Sequence, residues 1–128
     1  MKICIITGSR ADLGLLHYPQ KLLQEDSYFK GQLMQLWGYS FEQAYTAAAG
    51  AFHAERPDMI LVLGDRFEIL AAVTAAHLQR IPIAHIGGGD VTEGSYDDAM
   101  RDAISRMSAI HFVTSFASMA RLTSLGYR

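Results

Sequence analysis

Lys2-Ile3-Cys4-Ile5-Ile6-Thr7-Gly8-Ser9-Arg10-Ala11-Asp12 opens with an apolar, β-branched run that ends on a glycine and a polar cluster. Extended, residues 2–7 place apolar side chains on both faces, as in a strand covered on both sides within a parallel sheet. Leu33–Trp37, Met59–Leu63, Ile81–Ile86 and Ile110–Val113 repeat that signal. Helical patterns lie between them. Ser40-Phe41-Glu42-Gln43 reads as a capping box, with Phe41, Ala44, Tyr45, Ala48 and Phe52 on one face and Arg56-Pro57 as the stop. A helix over Phe67–Gln79 is expected to pack Leu70, Ala71, Thr74 and Leu78, and one over Tyr96–Met107 to pack Met100, Ala103, Ile104 and Met107. The last helix starts after Ser115, an N-cap residue, and stops at Gly126. The first, Asp12–Asp26, is the least regular, and Pro19 must sit in its first turns or kink it.

Five strands alternating with five helices predict the α/β class, with a three-layer, doubly wound parallel sheet of Rossmann or flavodoxin-like kind. The strand order 2-1-3-4-5 is preferred over 3-2-1-4-5, because polar and glycine-rich signals follow strands 1 and 3. The sheet then reverses direction between those two strands, and ligands in such folds bind in the crevice at their carboxyl ends.

Composition narrows the function. The 128 residues fit one domain, and with 50% hydrophobic and 19% charged residues the chain is too apolar to be disordered. A net charge of −2 leaves no cationic excess for nucleic acid. Cys4, the single cysteine, excludes an internal disulfide and fits a reducing compartment. The apolar stretch Ile3–Ile6 is too short for a signal-peptide core, and Ile69–Leu78 falls well short of the ~20 residues of a membrane span. The expectation is a cytoplasmic protein with neither a nucleic-acid nor a membrane partner.

Three loops carry the chemistry. In Thr7–Asp12, Gly8 permits a tight turn or a close approach, and Arg10 can offer a planar fork of donors to a phosphate near a helix start. The spacing Gly8…Gly14 matches neither the dinucleotide nor the Walker pattern, and Asp12 can equally be an N-cap with Arg10 a surface charge. In Leu63-Gly64-Asp65-Arg66-Phe67-Glu68, Asp65 at a strand's carboxyl end suits a general base. With Glu68 it also forms a capping-box-like pair, and sequence alone favours the cap. In His85–Gly94, three consecutive glycines suggest backbone that approaches something closely or moves, and Asp97 and Asp98 follow as first-turn acids or catalytic ones. The histidines at 17, 53, 77, 85 and 111 show no metal-ligand spacing, so no metal is expected; His85 and His111 read as hydrogen-bonded core residues. No Gly-x-Ser-x-Gly elbow is present.

Thr-Gly-Ser-Arg-Ala-Asp at 7–12, Leu-Gly-Asp-Arg-Phe-Glu at 63–68 and Gly-Gly-Asp-Val-Thr-Glu-Gly-Ser-Tyr-Asp-Asp at 88–98 occur in the order found in one family. The match continues through Arg101, Ile104, Ser108 and His111-Phe112. Together they resemble the amino-terminal domain of UDP-N-acetylglucosamine 2-epimerases, in particular the hydrolysing branch that feeds sialic-acid-type sugar synthesis. The resemblance implies the first half of a GT-B-type two-domain enzyme, residues 1–128 forming one incomplete domain without the second, nucleotide-binding one. It implies removal of the sugar C2 proton, expulsion of UDP through a 2-acetamidoglucal, and addition of water to give N-acetylmannosamine, with no cofactor.

By the same resemblance Asp65 and Asp97 are the catalytic carboxylates, and Arg10 lies beside the diphosphate. Gly8, Arg66, Glu68, Gly88 and Asp98 also join the substrate site. Two departures stand out: Gly87 replaces the family's Glu or His, and Gly38-Tyr39 shortens the link between the second strand and the next helix. A chain with half a cleft is expected to self-associate as a homodimer. Two other readings share these residues: a non-catalytic binding or assembly module descended from the family, and the acceptor-side domain of a GT-B glycosyltransferase.

Overall fold

A computed structural model describes residues 1–8, 21–22, 24–25, 28, 30–64, 66–87, 97–113 and 115–126, with the side chains of 97 and 98 outside the description. Its elements are β1 Lys2–Thr7, β2 Lys30–Gln35, α1 Phe41–Glu55, β3 Met59–Leu63, α2 Phe67–Leu78, β4 Ile83–Ile86, α3 Asp97–Met107, β5 Ile110–Phe112 and α4 Phe116–Ser124. All strand pairs are parallel and the order is β2-β1-β3-β4-β5. The sheet is thus the one expected from the sequence. The region expected to form the first helix lies mostly outside the described residues, although residues 21, 22, 24 and 25 are helical.

Alternation along the strands splits the core in two. Cys4, Ile6, Ile60, Val62 and Ile83 face the layer of α1, α2 and α3, meeting Phe52, Ile69 and Ile104. Ile3, Ile5, Leu61 and Ala84 face the other way. There, among the described residues, Ile3, Leu61 and Ala84 floor an open apolar groove of about 420 Å³ walled by Leu22, Ile110 and Phe112.

Three expectations need correcting. The second strand begins at Lys30, not Leu33, because pairing to β1 draws the polar Lys30-Gly31-Gln32 into the ladder opposite Lys2-Ile3-Cys4. This strand is the sheet's edge, where polar residues are tolerated. In α2 the expected face is only partly right: Ala71 is buried and Leu70 partly so, but Ile69, Ala72, Val73, Ala75 and Ala76 are buried as well, while Leu78 is exposed. A helix apolar on nearly every side carries no phase in its pattern, so tertiary packing selects the face. In α3 the buried set is Arg101, Ile104 and Ser105, two of them polar, in place of the methionines. The capping box of α1 is present as expected, with Gln43 N–H donating to Ser40 Oγ at 3.1 Å and Ser40 N–H to Gln43 Oε1 at 2.9 Å.

Candidate functional site

β1 delivers its turn next to the start of α2. Thr7 is buried; its carbonyl accepts from Leu36 N–H at 2.9 Å and its hydroxyl donates to the Met34 carbonyl at 3.4 Å. A Cβ placed on Gly8 would stand 3.2 Å from Ile69 Cγ1 and 3.5 Å from Arg66 Cδ. A side chain at Gly8 would press on Ile69, so close approach favours glycine there, and the end of β1 lies next to the start of α2.

β3 ends on Gly64, whose φ of +86° lies in the left-handed region that glycine enters without cost. A Cβ there would meet nothing within 4 Å, so conformation alone selects the glycine. Both polar groups of Gly64 are held by β4. Its N–H donates to the Ile86 carbonyl at 3.1 Å, and its carbonyl lies 2.8 Å from His85 Nε2.

The N-cap of α2 is Arg66, whose carbonyl accepts from Leu70 N–H at 3.1 Å and whose side chain makes no cap hydrogen bond. The expected Asp65–Glu68 capping pair is thus corrected, since the cap position falls one residue later. Glu68 binds Arg66 instead: Arg66 Nε and Nη2 donate to its two carboxylate oxygens at 3.0 and 3.1 Å. Glu68 is buried while the Arg66 side chain is about half exposed. A buried carboxylate needs such pairing, and the first turn of a helix favours its charge. The pair holds the Arg66 guanidinium at the start of α2 with a face still open to solvent.

β4 ends on Gly87, with φ +90° and its N–H donating to the Phe112 carbonyl at 2.9 Å. Where the family pattern has Glu or His, this backbone suits glycine. α3 begins at Asp97, and one turn on Arg101 is buried, a cation among the polar residues facing the sheet that sequence reading left without a role. His85 is fully buried, as expected; His111 is only partly so, and burial still lowers its pKa.

Among the expected site residues, then, Gly8, Arg66 and Glu68 stand together at the carboxyl ends of the central strands. Arg10, Asp65 and Gly88 lie outside the described residues, as do the side chains of Asp97 and Asp98. Among the described residues no three His, Cys, Asp or Glu side chains gather as a metal site.

Known proteins resemble this chain in sequence and in fold. The chain is 41% identical over 87 residues to a GDP/UDP-N,N'-diacetylbacillosamine 2-epimerase (hydrolyzing) of Campylobacter jejuni, covering 68% of this chain and 23% of that protein. It is 47% identical over 75 residues to the UDP-N,N'-diacetylbacillosamine 2-epimerase (hydrolyzing) of Legionella pneumophila, covering 59% of this chain and 20% of that one. The chain therefore spans about a fifth of the length of these relatives. The fold matches the crystal structure of UDP-GlcNAc 2-epimerase from Neisseria meningitidis bound to UDP-GlcNAc, with a TM-score of 0.90 at 22% identity over 100% of this chain and 44% of that one. The profile of the UDP-N-acetylglucosamine 2-epimerase family matches residues 8–128, and this chain belongs to that family.

Proposed function

We propose that the chain is the amino-terminal portion of a hydrolysing 2-epimerase acting on a UDP-linked 2-acetamido sugar. The observation that carries this reading is the close approach of Gly8, at the end of β1, to Ile69 and Arg66 at the start of α2, where Arg66 pairs with Glu68. It brings the end of β1 beside the start of α2, at the carboxyl ends of the central strands, where doubly wound sheets bind ligands. In this reading Asp65 takes the C2 proton as the C1–O bond breaks and UDP leaves with the bonding electrons, giving the 2-acetamidoglucal. Water then adds its hydroxyl to C1 while a proton reaches C2 from the opposite face, a step given to Asp97 at the start of α3, with Asp98 beside it in the substrate site. Arg10 and Arg66 stabilise the departing diphosphate; Glu68 holds Arg66 in place, and Gly8 and Gly88 let backbone approach the sugar nucleotide.

Two hydrolysing relatives are named for a diacetylated sugar nucleotide, so a 4-acetamido group is compatible with the substrate class. The same reading includes a cytoplasmic setting, a place in sialic-acid-type sugar synthesis and a homodimer. The dimer is supported by the exposed Ile110 and Phe112 at the sheet edge and the apolar groove beside them. No helix among the described residues is long and apolar enough to cross a membrane.

The test incubates the chain with UDP-N-acetylglucosamine, and separately with its 4-acetamido-4,6-dideoxy counterpart, and follows released UDP. Turnover that Asp65→Asn reduces by roughly 10²–10⁴-fold, at an unchanged unfolding midpoint, supports the assignment. Because Gly87 offers no side chain for proton transfer, a non-catalytic module is the second reading. It gains if the folded chain binds the sugar nucleotide without releasing UDP.

A further inference from the structure

We propose that His85 is a positioning residue: as the Nε2–H tautomer it holds the turn that carries Asp65 in register with helix α3, which Asp97 opens. The role of those two carboxylates rests on the function proposed above; the tether itself rests on two buried side chains and the partly buried Gly64 carbonyl. His85 lies 0% exposed on β4, with Nε2 2.8 Å from the Gly64 carbonyl and Nδ1 3.0 Å from Ser105 Oγ. A carbonyl oxygen only accepts, so Nε2 must carry the hydrogen. In the neutral ring Nδ1 is then an acceptor, and the Ser105 hydroxyl donates to it. Ser105 is also 0% exposed and sits on α3 eight residues after Asp97.

An isoleucine or valine would fill this strand position without burying polar nitrogens, but it would leave the Gly64 carbonyl without this donor, a costly outcome in the interior. The imidazole thus joins two segments 41 residues apart, the Gly64 turn and α3, through one rigid ring. Gly64 has its N–H on the Ile86 carbonyl, so successive β4 residues grip both halves of the turn's first residue. Its left-handed φ of +86° makes the direction in which the chain leaves β3 depend on that grip.

The experiment uses the full chain labelled with ¹⁵N, reading the His85 ring by long-range ¹H–¹⁵N spectra and the Gly64 amide by hydrogen exchange. The wild type is expected to show one tautomer, with the proton on Nε2. Ser105→Ala, which touches neither the turn nor the ring's other nitrogen, is expected to leave the proton on Nε2, where the Gly64 carbonyl still accepts it. His85→Asn keeps a group facing Ser105 but cannot reach Gly64, and should speed Gly64 exchange about fivefold or more. His85→Gln, which returns an N–H donor near the Nε2 position, should bring the rate back to within about twofold of wild type.

A proton on Nδ1, or equal exchange in the Asn and Gln variants, overturns the tether. In UDP-release assays, the positioning role requires His85→Asn to lower kcat with KM little changed and His85→Gln to recover it. Equal losses in both variants, or a change in KM alone, overturn that role. Absent turnover in the wild type alongside the expected spectra defeats the epimerase reading and leaves the tether standing.

Discussion

Cys4 packs on β1 among Ile6, Ile60 and Val62, and burial, helped by the nearby charge of Glu55, pushes its thiol from 9.0 to about 11. The folded state therefore holds the thiol proton more tightly than the unfolded chain does. That contribution is complete below about pH 9 and is lost as pH climbs toward 11, a change of about 2–3 kcal/mol. Urea midpoints measured at pH 8 and pH 11 should fall further in the wild type than in Cys4→Ala. Gly64 yields a second residue-scale expectation. With φ at +86° and open space where a Cβ would go, Gly64→Ala should cost about 1–2 kcal/mol from backbone strain alone, and Gly64→Asn less. Thermal unfolding of the two variants decides it. The sequence marks Gly8 and Gly64 alike as glycines after strands, yet one answers to a neighbour 3.2 Å away and the other to its own dihedral. That difference is set by packing between segments far apart in the chain. His85 reads in the sequence as a hydrogen-bonded core residue; its partners, 20 and 21 residues distant, are visible only once β4 lies between α3 and β3.

Among the elements, α1 owes its start to local chemistry. Ser40→Ala removes one half of a reciprocal cap and should lower stability by about 1 kcal/mol, read from the urea midpoint, while Gln43→Ala should cost less. This helix was legible because the cap and the Ala44, Ala48, Phe52 stripe state both its beginning and its inward face. α2 was legible in extent but not in orientation, since Leu70 and Ile69 are equally apolar and only Ile69 is fully buried. The start of β2 was hidden for a related reason: Lys30 and Gln32 join the ladder through backbone groups, which every residue type possesses. The glycines that close β1, β3 and β4 were legible as strand ends. The pairing of Arg66 with Glu68 was not, because a first-turn acid looks the same whether it caps a helix or binds a guanidinium.

For the whole molecule, the alternation of strand and helix left two strand orders open, and the polar, glycine-rich signals after strands 1 and 3 selected the observed β2-β1-β3-β4-β5. The two faces of this sheet differ. Among the described residues, three helices pack on one face, whereas on the other the groove of about 420 Å³ and the edge residues Ile110 and Phe112 present apolar surface. Light scattering at micromolar concentration should accordingly give twice the monomer mass, and Phe112→Asp should return it to one; a monomeric wild type refutes self-association. The turns that frame the candidate site spring from β1, β3 and β4, the three interior strands of five, while both edges of the sheet lie to either side. Edges fray before centres do, so a guest settling over the middle meets anchorages already stiff. Its affinity would then be set by the turns themselves and would hardly alter under conditions mild enough to loosen only the outer strands.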